Sequence, residues 1–363
     1  MNIVSFFSGA GGLDLGFQKA GFKIVWANEY DRTIWETYEE NHKKTFLDRR
    51  SIVDIESSDV PDCDGIIGGP PCQSWSEAGA LRGIKDARGQ LFFEFMRILA
   101  DKRPKFFLAE NVSGMMLPSN VRALQNIIEL FEECGYLLSF TSVNAADYGV
   151  PQDRKRVFFV GYRKDLEIRF EFPKPSTPDK QVTLKEAIGD LARTAIPAFG
   201  NNRSNRDKCR IPNHEYMIGG FSPIYMSRNR VRSWDEVSFT IQAGGRHAPI
   251  HPQAPKMKFI EPNVRLFVEG KEKLYRRLSV RECARIQTFP DDFKFLYEHI
   301  ADGYKMIGNA VPVLLAKQIA QKIKHDLVMK KNHELTFEMQ AQLKTSLNGN
   351  HVKERMVELV NAI

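Results

Sequence analysis

A short apolar stretch that runs into two glycines and two prolines constrains the fold more than any other part of this chain. Residues 63–67 end in Gly-Ile-Ile and lead directly into Gly68-Gly69-Pro70-Pro71-Cys72. Proline has no backbone N–H and a fixed φ, so a strand that begins here cannot continue through Pro70 and Pro71. Cys72 is therefore predicted to lie on a stiff loop at the carboxyl end of a buried strand, where open α/β sheets place their chemistry.

A glycine-rich turn near the amino terminus predicts a cofactor site. Residues 3–7 are apolar enough for a buried strand and run into Ser-Gly-Ala-Gly-Gly at 8–12, after which apolar residues recur at helical spacing. A second strand is predicted at 23–28 and ends at Glu29, an acid placed to accept hydrogen bonds from ribose hydroxyls. The turn lacks the Gly-Lys-Ser/Thr of a P-loop and the spacing of a dinucleotide fingerprint. It indicates a nucleotide-type cofactor.

Strand and helix patterns alternate over the first half of the chain. Strands are predicted at 105–109, 138–144 and 157–161, with helices at 91–99 and 119–135. This alternation favours an α/β fold with a doubly wound, mostly parallel sheet. Glu110 follows the first of these strands, and Arg154 and Arg156 precede the last, two apart and so on one face.

The composition of the chain changes after about residue 173. Residues 196–281 contain 16 Lys and Arg against 7 Asp and Glu, so they account for the whole net charge of +7. Such a basic segment is expected to face a polyanion, although a solvated basic surface is the alternative. We predict a smaller, irregular, β-containing recognition domain over 176–278. Helical pattern resumes at Ser279, an expected N-cap with Glu282 at the third helical position.

The domain prediction is therefore a catalytic domain of residues 1–175 plus 279–327, the recognition domain between them, and a helix-prone tail over 328–363. The chain of 363 residues has no run of 18 apolar residues and no export signal, which favours a cytoplasmic protein without a membrane partner. Its five cysteines form no Cys-x-x-Cys pair, so we expect neither a disulfide nor a metal site.

Six motifs in a fixed order identify a family resemblance. The glycine-rich turn is followed by Pro-Pro-Cys-Gln at 70–73, Glu-Asn-Val at 110–112, Gln-x-Arg-x-Arg at 152–156, Arg-Glu-x-Ala-Arg-x-Gln-x-Phe-Pro at 281–290 and Gly-Asn-Ala-Val-Pro at 308–312. In this the chain resembles the DNA (cytosine-5)-methyltransferases, most of all the GGCC-specific bacterial modification methylases. The resemblance implies a Rossmann-like S-adenosylmethionine methyltransferase fold, duplex DNA as substrate, a functional link to a restriction endonuclease, and a monomer.

The residues suit that chemistry. A thiolate that adds to carbon 6 of cytosine makes carbon 5 nucleophilic, a role for Cys72, and an acid at ring nitrogen 3 lowers the barrier, a role for Glu110. Arg156 would hold the cytosine carbonyl oxygen, and Arg154 is placed in the same catalytic set. The target base must leave the duplex to react.

The resemblance also implies binding residues. Those expected at the cofactor are Phe7, Gly9, Gly11, Gly12, Glu29, Tyr30, Ser51, Ile52, Gly69, Pro71, Leu91 and Asn309, and those expected at DNA are Gln73, Ser76, Arg228, Arg230 and Arg246. Ser51 departs from the family pattern, which usually has Asp there. The turn at 244–249 also differs from the form expected for a GGCC reader.

Three other interpretations stay open on the sequence alone. An RNA cytosine-5 methyltransferase of the same family would share every catalytic motif, but its recognition domain is usually smaller. A nucleotide-binding oxidoreductase explains the glycine-rich turn and leaves Pro-Pro-Cys and Glu110 unexplained. A non-catalytic DNA-binding protein explains only the basic segment.

Overall fold

The computed structural model describes residues 1–71 and 87–346 of the chain. Cys72, Gln73 and Ser76, all predicted site residues, lie outside these described residues. The chain divides into a compact unit over Met1–Gln321 and a second unit that begins at Lys322. Within the described residues, no helix combines the length and the apolar character that a membrane span requires.

The first unit is built around a seven-stranded sheet. Its strands are β1 (Asn2–Phe6), β2 (Lys23–Asn28), β3 (Phe46–Asp48), β4 (Gly65–Gly68), β5 (Phe106–Val112), β6 (Tyr136–Asn144) and β7 (Lys155–Arg163). Their order across the sheet is β3-β2-β1-β4-β5-β7-β6. The pairs from β3 to β5 are parallel, whereas β7 runs antiparallel to both β5 and β6. The predicted mostly parallel sheet is confirmed.

The described helices are α1 (Gly12–Lys19), α2 (Trp35–Asn41), α3 (Ala87–Lys102), α4 (Val121–Glu133), α5 (Leu184–Ile188), α6 (Val280–Ile286), α7 (Ile300–Asn309) and α8 (Val313–Ser346). Helices cover both faces of the sheet. The adjacent β5 residues Phe106 and Phe107 point to opposite faces. Phe106 stacks on Phe17 of α1, with 6.3 Å between ring centroids, and Phe107 stacks on Phe131 of α4 at 4.3 Å. This two-sided covering is the doubly wound arrangement.

Local sequence signals account for the start of α6 and for the break between α7 and α8. Ser279 caps α6 as predicted, because its Oγ accepts the Glu282 N–H at 3.0 Å while the Glu282 carboxylate accepts the Ser279 N–H at 2.8 Å. Gly308 of the Gly-Asn-Ala-Val-Pro motif lies near the end of α7, and α8 begins at Val313. Pro312 explains the break, because it disfavours helical backbone in the preceding residue and suits a helix start.

The region over 176–278 has few regular elements. Strand β8 (Ile196–Pro197) pairs in parallel with β9 (Glu215–Tyr216), and β10 (Lys258–Glu261) forms a hairpin with β11 (Val264–Leu266). Leu184 and Ile241 of this region are buried in the same apolar cluster as Cys283 of α6 and Tyr304 of α7. The domain boundaries at 176 and 278 stay a prediction.

Candidate active site

A cavity of about 400 Å³ opens at the carboxyl ends of β1, β4 and β5. The predicted site residues that line it are Phe7, Gly9, Gly12, Glu29, Gly69, Pro71, Glu110, Arg154, Arg156 and Asn309. The parallel strands β1, β2, β4 and β5 end at one edge of the sheet and the antiparallel β7 begins there, which brings together residues from most of these motifs.

The glycine-rich turn borders the cavity in a backbone conformation that favours glycine. Gly9 and Gly11 have φ of +56° and +83°. A Cβ at Gly9 would meet nothing within 4 Å, whereas one at Gly11 would lie 2.1 Å from Nε2 of His42. Gly9 therefore leaves room at the turn, and Gly11 permits close packing beneath it. Phe7 also has a positive φ of 52°, which is uncommon for a residue with a side chain.

The Glu29 carboxylate connects the end of β2 to this turn through hydrogen bonds. One carboxylate oxygen accepts the Gly9 N–H at 2.9 Å, and the other accepts the Asp31 N–H at 2.7 Å. Burial raises the pKa of Glu29 above its ordinary value. The Ser8 hydroxyl oxygen is buried without a hydrogen-bond partner among the described residues. A cradle with an acid, a free hydroxyl and an aromatic ring fits a nucleoside-type group that carries hydroxyls.

Glu110 and Arg156 form an ion pair on the other side of the cavity. The Arg156 Nε lies 2.9 Å from Oε1 of Glu110, and their side chains are only 14% and 12% exposed. The neighbouring Asn111 donates from Nδ2 to the Pro70 carbonyl at 3.1 Å, which fastens the Pro70-Pro71 turn to β5. Cys72 directly follows Pro71, which lines the cavity.

Arg154 does not share the surroundings of Arg156, and its catalytic role stays a prediction. Its side chain is buried, with one guanidinium nitrogen bonded to the Ile241 carbonyl at 3.0 Å. The other donates to the carbonyls of Gly308 at 2.9 Å and Ala310 at 3.0 Å. Burial, helped by the nearby Arg156 charge, lowers the pKa of Arg154 to about 9. β7 begins one residue later, so the predicted alternation does not describe Arg154.

The arginines predicted to read DNA bases have different surroundings. Arg228 is exposed beside a second cavity of about 260 Å³, and Arg246 is exposed on the turn at 245–247. Arg230 lines that cavity but is only 8% exposed. Its Nε donates to the Tyr225 carbonyl at 2.9 Å and its guanidinium lies 4.7 Å from the centroid of the Tyr225 ring. The Arg230 guanidinium is therefore already engaged with Tyr225, and its contact with DNA stays a prediction.

A comparison with known families decides the identity. The family model for C-5 cytosine-specific DNA methylases matches residues 1–325. The chain belongs to this family. The chain is similar to the type II methyltransferase M.FnuDI of Fusobacterium nucleatum, 59% identical over 331 residues that cover 91% of this chain and 96% of that protein. It is 60% identical to M.NgoPII of Neisseria gonorrhoeae over 330 residues, 90% of this chain and 96% of that one.

A solved structure agrees. A DNA modification methyltransferase encoded within an E. coli prophage superposes with a TM-score of 0.68 at 25% identity, over 90% of this chain and 99% of that chain. The protein is thus a DNA (cytosine-5)-methyltransferase, and the oxidoreductase and the non-catalytic DNA-binding interpretations are set aside. The names of the family and of its type II relatives favour DNA over RNA as substrate.

Several cofactor residues that the family pattern suggested do not line the described cavity of this methylase. Tyr30 is 72% exposed, and Ile52 and Leu91 belong to the apolar core beside the sheet. The Ser51 Oγ accepts the Val53 N–H at 3.4 Å and so caps a short turn. Their contact with the cofactor stays a prediction.

The acids and arginines around Ser51 are engaged with each other. Arg50 pairs with Asp48 at 2.7 Å and with Asp59 at 2.9 Å, and Arg49 pairs with Glu39 at 2.6 Å. These pairs explain how a serine fits directly after two arginines, because the positive charges of Arg49 and Arg50 already have partners.

Sequence reasoning missed Asp31, which also lines the cavity. Its carboxylate pairs with Lys305 of α7 at 2.8 Å, across 274 residues of chain. Asp31 lies two residues after Glu29, so an acid repeated at the end of a strand was the available signal. Its partner Lys305 on α7 gave no such signal in the sequence.

Proposed function

We propose that this methylase transfers a methyl group from S-adenosylmethionine to carbon 5 of a cytosine flipped out of a short duplex DNA site. The observation that carries the proposal is the buried Glu110–Arg156 pair, which borders one cavity with the Pro70-Pro71 turn that leads to Cys72. A carboxyl group and a guanidinium at neighbouring strand ends, together with a cysteine that follows Pro71 in the sequence, are the groups that activation of a cytosine ring requires.

The chain's own residues would activate the base. The Cys72 thiolate attacks carbon 6 and forms a carbon–sulfur bond, and the ring electrons move toward nitrogen 3 and carbon 5. Glu110 acts as the acid at nitrogen 3 and so stabilises the charge that develops there. Arg156 keeps the Glu110 side chain in place and can also donate to the carbonyl oxygen of the ring. Carbon 5 becomes nucleophilic as a result. Once carbon 5 carries the methyl group, loss of its proton to a base restores the ring double bond and releases the Cys72 thiolate from carbon 6.

The glycine-rich side of the cavity would hold S-adenosylmethionine, which supplies an electrophilic methyl group on its sulfonium when bound. Phe7 offers a ring to stack on, Gly9 leaves space for close approach, and Glu29 and Asn309 offer polar groups. The unpartnered Ser8 hydroxyl supports a ligand with its own donors or acceptors in this part of the cavity.

The target is proposed to be GGCC, and the biological role to be protection of that site from a partner restriction endonuclease. Support comes from the motif resemblance and from relatives that are named type II methyltransferases. Exposed Arg228 and Arg246 suit a site that contains guanine, because a guanidinium can bond both major-groove acceptors of that base. We also infer that the protein acts as a monomer.

Bisulfite sequencing of plasmid DNA from cells that express the protein tests the proposal. One cytosine in every GGCC should resist conversion, and all cytosines should convert in cells that express Cys72→Ala. Resistance confined to another sequence would contradict the GGCC assignment and leave the chemistry standing. Complete conversion with the wild-type protein would contradict cytosine-5 methylation itself.

A further inference from the structure

A buried polar network connects the basic region to the edge of the cofactor cavity. Its members are Gln152, Arg154 and Gln287, whose side chains are 0%, 1% and 0% exposed. Gln152 and Gln287 bond to each other, from Nε2 of the former to Oε1 of the latter at 2.9 Å. Buried polar groups hold their partners firmly, because a displaced donor or acceptor loses its hydrogen bond where no water can replace it.

At one end the network holds both backbone polar groups of a single residue, Ile241. The Ile241 N–H donates to Oε1 of Gln152 at 2.8 Å, and the Ile241 carbonyl accepts from Arg154 at 3.0 Å. Thr240 and Gln242, the residues on either side, line the cavity beside Arg228. The segment 240–242 is thus fixed at Ile241 by its backbone, and Thr240 and Gln242 remain beside the exposed arginine.

At the other end the network holds the segment that follows α7. Arg154 donates to the carbonyls of Gly308 and Ala310 at 2.9 and 3.0 Å. Gln287 donates from Nε2 to the carbonyls of Ile307 at 2.8 Å and Ala310 at 3.1 Å. Asn309, between the two carbonyls that Arg154 binds, lines the proposed cofactor cavity.

The two held segments also touch directly. A Cβ added to Gly308 would lie 2.3 Å from the backbone nitrogen of Ala243 and 2.3 Å from the carbonyl carbon of Gln242. The backbones therefore pack against each other with no side chain between them. A shift of segment 240–243 cannot occur without a shift of the segment beside Asn309.

We propose that Gln152, Arg154 and Gln287 are positioning residues that couple DNA recognition to cofactor binding. The inference rests on the proposed function. A cognate duplex that orders 240–242 also orders 308–310, so the conformational entropy of the second segment is already lost when the cofactor binds. By linkage the effect is reciprocal, and the cofactor strengthens binding of the cognate duplex by the same factor.

Titration calorimetry with S-adenosylhomocysteine measures this coupling. Its Kd is determined for the free protein, for protein saturated with a duplex that carries the site mapped by bisulfite sequencing, and for protein with a scrambled duplex. The cognate duplex should lower the Kd of the wild-type protein by about 5- to 150-fold. The scrambled duplex should change it by less than about threefold.

Two variants remove the connection in different ways. Arg154→Lys cannot span three carbonyls, and Gln152→Met keeps the volume and removes both hydrogen bonds. In each, the cognate duplex should change the Kd of S-adenosylhomocysteine by less than about threefold. Should Arg154→Lys fail to fold, Gln152→Met carries the test alone.

Arg281→Lys is the matched control. Arg281 is also fully buried and donates to the carbonyls of Pro212, Pro290 and Phe293, none of which belongs to the two coupled segments. In Arg281→Lys the cognate duplex should lower the Kd of S-adenosylhomocysteine by the same factor as in the wild type. The inference is overturned if the cognate duplex lowers this Kd in the folded Arg154 and Gln152 variants as much as in the wild type. It is also overturned if the control loses the effect of the duplex as fully as those variants do. A wild-type protein that binds no S-adenosylhomocysteine overturns the proposed function and this inference with it.

Discussion

The Arg156 guanidinium lies 2.9 Å from the Glu110 carboxylate at the edge of the cavity. The antiparallel register of β5 and β7 creates this pair, because it sets Val112 opposite Arg156 and leaves Glu110 two residues back on the same face. An ion pair this close and this little exposed orients both groups before any substrate arrives. The catalytic predictions below depend on that orientation.

Glu110→Gln should slow methyl transfer. The amide keeps the size of the side chain but cannot donate a proton to ring nitrogen 3, so the barrier should rise by about 2–4 kcal/mol, roughly 30- to 900-fold in rate. Single-turnover transfer of a labelled methyl group to duplex DNA measures this. Glu133→Gln, at the exposed end of α4, is the control and should match the wild type. A Glu110→Gln rate within about threefold of the wild type would rule out the acid role.

Cys72→Ala should abolish methyl transfer and leave DNA binding intact, because the thiolate is needed for bond formation and not for docking. A duplex with 5-fluorocytosine at the target should trap a covalent adduct with the wild-type protein, since fluorine cannot leave carbon 5 as a proton does. Denaturing gels show the adduct, and a gel-shift assay shows the binding. An adduct that persists in Cys72→Ala would assign the nucleophile to another residue.

Asp14 should make the protein less stable as the pH rises. It is fully buried and accepts hydroxyl hydrogen bonds from Ser5 and Tyr38, each at 2.6 Å. Burial raises the pKa of Asp14 from 3.8 to about 6. The folded state therefore holds this proton over a range in which the unfolded state has lost it. The contribution of Asp14 to the free energy of unfolding should fall by on the order of 3 kcal/mol between about pH 4 and pH 6.

Urea denaturation of the wild type and of Asp14→Asn over pH 4–7 isolates this contribution, because every other titrating group is common to both proteins. The difference in unfolding free energy between them should change by the stated amount, with the wild type favoured at low pH. A difference that does not vary with pH would mean that Asp14 is charged in the folded protein.

Arg228 and Arg230 should respond differently to replacement by lysine. Arg228→Lys should weaken binding of the cognate duplex by about 1–3 kcal/mol and binding of random DNA very little, because lysine cannot bond both guanine acceptors. Arg230→Lys should instead lower the melting temperature, since Arg230 holds the Tyr225 carbonyl. Fluorescence anisotropy and thermal unfolding measure the two effects. Parallel loss of cognate and random binding in Arg228→Lys would make Arg228 a phosphate contact, and Arg246→Lys tests the other exposed arginine in the same way.

Much of this molecule follows from local chemistry. The end of β4 follows from prolines that cannot pair, the start of α6 follows from a serine three residues before a glutamate, and the sheet follows from alternating apolar runs. Each of these signals lies within a few residues of the element that it controls. Glu110 was predicted in the same way, from an acid that follows a predicted strand, whereas only the family resemblance separated Arg156 from Arg154.

The roles of Arg154, Arg230 and Asp31 needed the tertiary structure. Arg154 and Arg156 are the same residue type two positions apart, yet the first bonds carbonyls of Ile241 and Gly308 while the second pairs with Glu110. Which guanidinium is covered depends on segments about 90 and 150 residues away, whose positions no local pattern encodes. Burial is a property of the packed molecule, and it decides whether a charged side chain supports the fold or meets a substrate.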